Sequence, residues 1–247
     1  AKVIDLLYKK SEDGPESALK NIHDANYHIE QIQDLGMLPC GYHRYYYSED
    51  EMLQHSIEEF EAGATRAQVV KKTEQQLFEL YKDPALDYKP EELTQRGGTY
   101  YSDAACEVIA SIYNDKQTVM VVSTQNNGTI QDLPYDAIVE VSAQITSHGA
   151  VPFNWGEFMP AARGMIQLMK GMEETVIHAA VEGNYGAALH AFTINPLVPG
   201  GQMAKRVLDE LLYAHKAHLP QFADKIAEIE ANQPDVVAYV DELMQSN

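Results

Sequence analysis

The sequence has few cysteines and few basic residues, and both shortages limit what the protein can be. Its two cysteines, Cys40 and Cys106, lie far apart in unlike contexts. This excludes a disulfide framework and predicts a reducing, cytoplasmic location. Eighteen basic residues stand against 37 acidic ones, for a net charge of −19. Because such a surface repels phosphate backbones and anionic lipid, we expect neither nucleic acid nor membrane among the partners.

Long apolar runs and a signal peptide are also missing. No stretch approaches the roughly 18 apolar residues that a membrane span needs. The first ten residues, AKVIDLLYKK, lack the basic, apolar and cleavage regions of a secretory leader. They begin without Met, inside a segment with helical apolar spacing. We therefore expect the chain to be a fragment of a longer protein.

The chain contains none of the short motifs that mark common cofactor and catalytic sites. It has no G-x-G-x-x-G, Walker, H-E-x-x-H, C-x-x-C or G-x-S-x-G pattern. Nine histidines are present, but their spacing does not predict a metal site; among them, only His43 stands beside another candidate functional residue, Tyr42. Cys106 falls on an apolar helix face, which predicts a core position rather than a nucleophile.

Hydrophobic periodicity predicts an α+β protein, mostly helical, with a small and mainly antiparallel sheet. Gly36 fits the end of a first helix. A β-branched run at 118–123 predicts a buried strand, and the alternation at 138–145 predicts a second one. The last stretch, 222–244, is acidic, and we expect it to be helical and peripheral. Further helices are predicted at about 48–60, 65–82, 101–113, 158–181, 185–193 and 202–219.

The segment GMLPCGYHRYYY, residues 36–47, is the most informative part of the sequence. It places Tyr42 in a turn punctuated by glycine and proline, with Arg44 two residues on and three further tyrosines behind. A phenol beside a fixed cation can act as a base, because the cation favours the phenolate. The alternative is an aromatic loop that packs on a core.

Three other segments allow both a structural and a functional interpretation. In ATRAQVV, Arg66 begins a helix, where a cation is not favoured by the helix dipole and can turn toward a ligand or stay solvated. In RGGTYYSDAACEVI, Arg96 precedes two glycines, which suits either a phosphate or a tight turn at a helix start. In TQNNGTIQDLPYD, we expect Asn126, Asn127 and Asp132 to satisfy the backbone of a turn.

Together, these four segments resemble the C-terminal portion of the NAD- and metal-dependent family 4 glycoside hydrolases, and within them the 6-phospho-β-glucosidases. The resemblance covers residues 1–222 and implies a substrate and catalytic domain like the C-terminal domains of lactate dehydrogenase-like and family 4 glycosidase proteins. Residues 223–247 would then form an acidic helical extension.

The resemblance also implies roles for individual residues. The family tyrosine in the first segment is the catalytic base, and its position here is Tyr42; the α-glucosidase relatives have aspartate there. The family arginine at the start of the next helix reaches the substrate and corresponds to Arg66. Arg44 and Arg96 are expected to give structural support or to bind the substrate phosphate.

In the family, the NAD-binding loop and the metal ligands, usually for manganese, belong to a preceding nucleotide-binding domain, so we expect both sites outside this chain. The implied reaction on phosphorylated β-glucosides such as cellobiose 6-phosphate runs by oxidation, elimination, addition and reduction. The fragment alone is then expected to be inactive, and the whole enzyme to be a homo-dimer or tetramer. Two alternatives stay open: a 6-phospho-α-glucosidase, and a non-catalytic helical assembly domain.

Overall fold

The computed structural model describes residues 27–96 and 100–245, and the chain divides into two compact units, Ala1–Gly156 and Glu157–Asn247. The expected α+β class is confirmed: helices predominate, and the strands form one small antiparallel sheet. Within the described residues, no helix combines the length and apolar character required to cross a bilayer.

The described part of the first unit contains six α-helices before its sheet, of which the first is α1 (Ile29–Leu35). Helix α1 ends at Gly36, whose φ of 64° is left-handed and whose N–H donates to the carbonyl of Ile32. Glycine adopts this conformation without strain, so the chain can turn directly into the Tyr42 segment. After α1 come a 3-10 turn, Gly41–His43, and the helices α2 (Arg44–Tyr47), α3 (Glu49–Glu61), α4 (Arg66–Leu80), α5 (Glu92–Arg96) and α6 (Tyr101–Asn114).

The sheet has three antiparallel strands in the order β1 (Thr118–Gln125), β2 (Ile138–Thr146) and β3 (Gly149–Pro152). One face of β2 is buried, and α6 packs against this strand. The expectation that β1 is a buried strand is wrong. It lies at the edge of the sheet, and its exposed side chains alternate with partly buried ones. The buried residues of β2 are Val139, Val141, Ala143 and Ile145.

Helix α6 also corrects the expectation for Cys106, which is exposed rather than in the core. The same helix exposes Tyr101, Ile109 and Tyr113. Its buried contact with the sheet is instead made by Ser111, which donates to the hydroxyl of Thr118 at 2.6 Å. Apolar spacing identifies a helix, but on α6 apolar side chains lie on more than one face, so spacing alone does not identify the buried one.

The second unit is helical throughout its described part, and its core joins all five of its α-helices. The expectation that its last stretch is peripheral is wrong, because Ile226, Ile229, Val236 and Val240 belong to this core. The stretch is two helices, separated at Gln233. The bounds in this unit are α7 (Pro160–Glu182), α8 (Tyr185–Ile194), α9 (Gly201–Ala214), α10 (Ala223–Asn232) and α11 (Pro234–Gln245), with 3-10 turns at Lys216–His218 and Pro220–Phe222.

A buried carboxylate, Asp209 on α9, contacts residues from three parts of this unit. It accepts hydrogen bonds from the Tyr185 hydroxyl at 2.7 Å and from the Gln233 amide at 3.0 Å, and it pairs with Lys205. Burial alone would raise the pKa of Asp209, but these hydrogen bonds and the Lys205 charge outweigh burial and hold it below its usual value. Burial, followed by Asp209 itself, raises the pKa of Tyr185. This cluster is therefore a structural ion pair rather than an acid-base site.

Candidate active site around Tyr42

The turn that carries Tyr42 is built from two short helical pieces placed end to end. The His43 N–H donates to the Cys40 carbonyl at 2.9 Å, and the Ser48 N–H donates to the Arg44 carbonyl at 2.8 Å. The chain is thereby held in one tight curve between α1 and α3. The Tyr42 side chain points away from the packed side of this curve and is 55% exposed.

Arg44, two residues on, has the opposite environment: only 2% of it is exposed. Its guanidinium donates to the Tyr45 hydroxyl at 3.0 Å, and its Cζ lies 4.9 Å from the centre of the Tyr45 ring. Of the two roles expected for Arg44, this geometry favours structural support. A guanidinium that is buried and stacked on a neighbouring side chain already makes its contacts within the protein. Tyr42 and Arg44 thus lie in the same turn, and the guanidinium packs on Tyr45.

Tyr27 packs against the turn that carries Tyr42, and this contact was not predicted from the sequence. Its ring meets the ring of Tyr47 edge to face, with 6.0 Å between centroids. Its hydroxyl is buried and finds no hydrogen-bond partner among the described residues. Burial and then the nearby Cys40 raise the pKa of Tyr27 to about 12, although the Arg44 charge opposes them. Because its hydroxyl is buried, Tyr27 cannot replace Tyr42 at a substrate.

Arg66 lies at the first position of α4, as the sequence predicted. Thr65 caps this helix: the Gln68 N–H donates to the Thr65 hydroxyl, and the Gln68 side chain accepts from the Thr65 N–H at 3.0 Å. With the cap supplied by its neighbours, Arg66 is exposed at the helix start. It belongs to the same compact unit as Tyr42 but begins a different helix.

Arg96 ends the short helix α5, which packs against α4. The side chain of Arg96 and the two glycines after it lie outside the described residues. A groove of about 480 Å³ lies between these helices, and both acidic and basic side chains line it. Tyr42, Arg44 and Arg66 are not among its described lining residues, which are Val69, Lys72, Thr73, Gln76, Glu91 and Glu92.

Asn126, in the turn after β1, has the structural role expected of it. Asn126 is fully buried; its amide nitrogen lies 2.9–3.1 Å from the carbonyls of Ile130, Leu133 and Pro134, and its oxygen accepts from the Ile130 N–H at 2.7 Å. Every polar atom of this side chain is used by the backbone. Asn126 is therefore not available to a substrate.

The described part of the chain offers no metal site. Within residues 27–96 and 100–245, no three His, Cys, Asp or Glu side chains come together in a way that could hold a metal ion. The described residues therefore do not fit a resident metal, and what this turn can supply is the exposed tyrosine, Tyr42.

Comparison with known proteins decides the family. Residues 2–198 match the family described as "Family 4 glycosyl hydrolase C-terminal domain". The chain belongs to this family. All four candidate residues lie inside the segment that matches the family 4 domain, and residues 199–247 lie beyond it.

Two curated relatives of this family 4 domain are similar over most of the chain. The protein named "Probable 6-phospho-beta-glucosidase" of Bacillus subtilis (strain 168) is 50% identical over 208 residues, which are 84% of this chain and 47% of that protein. The 6-phospho-beta-glucosidase of Escherichia coli (strain K12) is 44% identical over 214 residues, which are 86% of this chain and 48% of that protein. The chain thus spans about half the length of these relatives.

A solved structure supports the same assignment. The 6-phospho-beta glucosidase from Thermotoga maritima, solved with manganese, NAD+ and glucose-6-phosphate, is 28% identical to this chain, with a TM-score of 0.72. The similarity covers 88% of this chain and 49% of that one. The helical fold with its small sheet is therefore the fold of a family 4 glycosidase.

Proposed function

We propose that this chain is the C-terminal part of a 6-phospho-β-glucosidase, which hydrolyses phosphorylated β-glucosides such as cellobiose 6-phosphate. The observation that carries the proposal is the environment of Tyr42. Tyr42 is 55% exposed, whereas Arg44 on the same turn is 2% exposed and paired with Tyr45. A rigid backbone that presents one solvent-facing phenol suits a base that must reach a substrate carbon.

In this proposal, Tyr42 as a phenolate accepts the proton from carbon 2 of the 6-phosphoglucosyl ring. Arg66, exposed at the start of α4, binds the substrate, and Arg44 holds the turn. Arg96 supports the site or binds the substrate phosphate. A guanidinium suits that phosphate because it can donate two parallel hydrogen bonds. Tyrosine at position 42 favours β- over α-glucoside specificity, because the α-glucosidase relatives have aspartate there.

We propose that NAD and manganese, both present in the Thermotoga structure, bind to a part of the enzyme that this chain does not span. The 247-residue chain alone is then inactive. Residues 1–222 would form the substrate and catalytic domain and residues 223–247 an acidic helical extension that packs into the core of the second unit. The enzyme would be a cytoplasmic homo-dimer or tetramer with neither nucleic acid nor membrane as a partner.

The test is an assay of the complete polypeptide, meaning this chain together with the part that the proposal places before it. With NAD⁺ and Mn²⁺ supplied, we expect cleavage of a 6-phospho-β-glucoside and, with the matched α-linked substrate, a kcat/KM at least about 100-fold lower, a discrimination that contacts at the reacting carbon can provide. Preferred cleavage of the α-linked substrate would support the α-glucosidase alternative. Cleavage of neither would favour a non-catalytic assembly domain.

A further inference from the structure

Three aromatic rings pack in series against the turn that carries Tyr42. The Tyr27 ring meets the Tyr47 ring edge to face, at 80° with 6.0 Å between centroids. The Tyr47 ring stacks in turn on the His43 ring, at 16° with 5.9 Å between centroids. None of these three residues takes part in the proposed glycosidase chemistry. Because Tyr27 precedes α1 and Tyr47 ends α2, this ring series joins the chain on both sides of the turn.

His43 is the member of the ring series that is next to Tyr42 in the chain, and hydrogen bonds hold both its backbone and its ring. Its N–H donates to the Cys40 carbonyl at 2.9 Å, and its Nδ1 accepts from the Cys40 N–H at 3.1 Å. Tyr42 therefore lies between two residues that are bonded to each other. Because Tyr42 is more than half exposed, its position depends on how firmly these neighbours are held.

The hydroxyl of Tyr27 does not account for the tyrosine at this position. It is buried and has no hydrogen-bond partner among the described residues. A buried hydroxyl without a partner lowers stability, because it has lost its hydrogen bonds to water. What Tyr27 contributes to the turn is therefore its ring, and phenylalanine should make the same contact.

We propose that Tyr27 is a positioning residue for the reaction, which acts through Tyr47 and His43 to hold Tyr42 at the substrate. This inference rests on the proposed role of Tyr42 as the base. A base must lie within hydrogen-bond reach of the proton that it accepts, and a displacement of about 1 Å can lower a rate by about 10²-fold. Edge-to-face ring pairs have a preferred geometry, so the Tyr27 ring restricts where the Tyr47 ring, and with it His43, can lie.

The kinetic test compares three variants of the complete polypeptide. Tyr27→Leu removes the ring and is expected to lower kcat for a 6-phospho-β-glucoside about tenfold or more, with KM within about twofold of the parental value, because Arg66 begins a different helix. Tyr27→Phe keeps the ring and is expected to keep the parental kcat. The control Tyr88→Leu, which removes an exposed ring of the same unit, is expected to keep it too. A parental kcat in folded Tyr27→Leu, or an equal loss in Tyr27→Phe, would overturn the proposal.

Hydrogen exchange of the same polypeptides, measured by mass spectrometry, tests the proposal without any activity. The turn holds the His43 and Ser48 N–H groups in hydrogen bonds of 2.9 and 2.8 Å. In Tyr27→Leu, exchange in residues 40–48 is expected to be about threefold faster or more, whereas α4 keeps its parental rate. Unchanged exchange in residues 40–48, or an equal acceleration in α4, would overturn the proposal. Because this measurement needs no substrate, it decides on the ring series even if the complete polypeptide cleaves no glucoside, an outcome that would contradict the proposed function.

A second variant covers the case in which Tyr27→Leu does not fold. Tyr47→Leu removes the middle ring of the series, and with it both ring contacts. The same fall in kcat and the same faster exchange in residues 40–48 are expected. A folded Tyr47→Leu protein with parental kcat and parental exchange would overturn the proposal.

Discussion

Replacing Tyr42 by phenylalanine is expected to lower the kcat of the complete polypeptide for a 6-phospho-β-glucoside by about 10²–10⁴-fold, the contribution of a positioned general base. The substitution removes one hydroxyl and keeps the ring. Tyr42 is 55% exposed, so this oxygen supports no buried network. The loss should therefore appear in kcat while KM and stability change little. Steady-state kinetics with saturating NAD⁺ and Mn²⁺ measure it.

Tyr88 provides the matched control for this variant. It is also an exposed tyrosine of the first unit, and it lies in the loop between α4 and α5. Tyr88→Phe is expected to keep the parental kcat. If Tyr42→Phe kept it as well, the assignment of Tyr42 as the base would be wrong, whatever activity the polypeptide has.

Replacing Asn126 by aspartate is expected to destabilise the protein by about 3 kcal/mol or more, because it buries an unpaired charge against acceptors. The amide nitrogen of Asn126 faces the carbonyls of Ile130, Leu133 and Pro134 at 2.9–3.1 Å. An oxygen in its place turns these attractions into repulsions, with no change in shape. The site is fully buried, so water cannot screen them. Urea unfolding at neutral pH measures the loss.

Asn114 offers the same substitution at a different site. It is exposed near the end of α6, and its amide donates one hydrogen bond, to the carbonyl of Ala110 at 2.9 Å. Asn114→Asp is expected to cost less than about 1 kcal/mol, the size of one exposed hydrogen bond and an unfavourable helix-end charge. Equal losses of unfolding free energy in the two variants would show that the buried hydrogen bonds of Asn126 stabilise the protein no more than the exposed one of Asn114.

Helix positions could be predicted because local signals mark where helices begin and end. Gly36 ends α1 in a left-handed conformation, and Asp83-Pro84 follows α4 closely. These signals act over a few residues and do not depend on the rest of the fold. The third strand was not located, because β3 has only four residues and exists through its pairing with β2.

Burial was harder to predict than secondary structure. Arg44 is almost completely buried, although arginine is rarely so, because the adjacent Tyr45 covers and pairs with it. Cys106 is exposed on a helix that has apolar residues on more than one face. In both cases tertiary packing determines which residues are buried, and this burial cannot be predicted from the spacing of residue types.

The candidate site was predictable in part. The spacing of Tyr42 and Arg44 indicated a phenol and a cation in one turn, and the structure has both there. The contact of Cys40 with His43 and the stacking of Tyr27, Tyr47 and His43 were not predicted. They depend on how tightly the chain curves between Pro39 and Ser48, which residue types alone do not give.

The most direct test of the central claim is to let the complete polypeptide cleave a 6-phospho-β-glucoside in D₂O and to examine the released glucose 6-phosphate by NMR. If Tyr42 takes the proton from carbon 2, that proton can exchange with solvent, because Tyr42 is an exposed residue. The account predicts deuterium at carbon 2 of the product. Hydrolysis by paired carboxylates breaks no carbon–hydrogen bond. Complete cleavage with only hydrogen at carbon 2 would contradict the account.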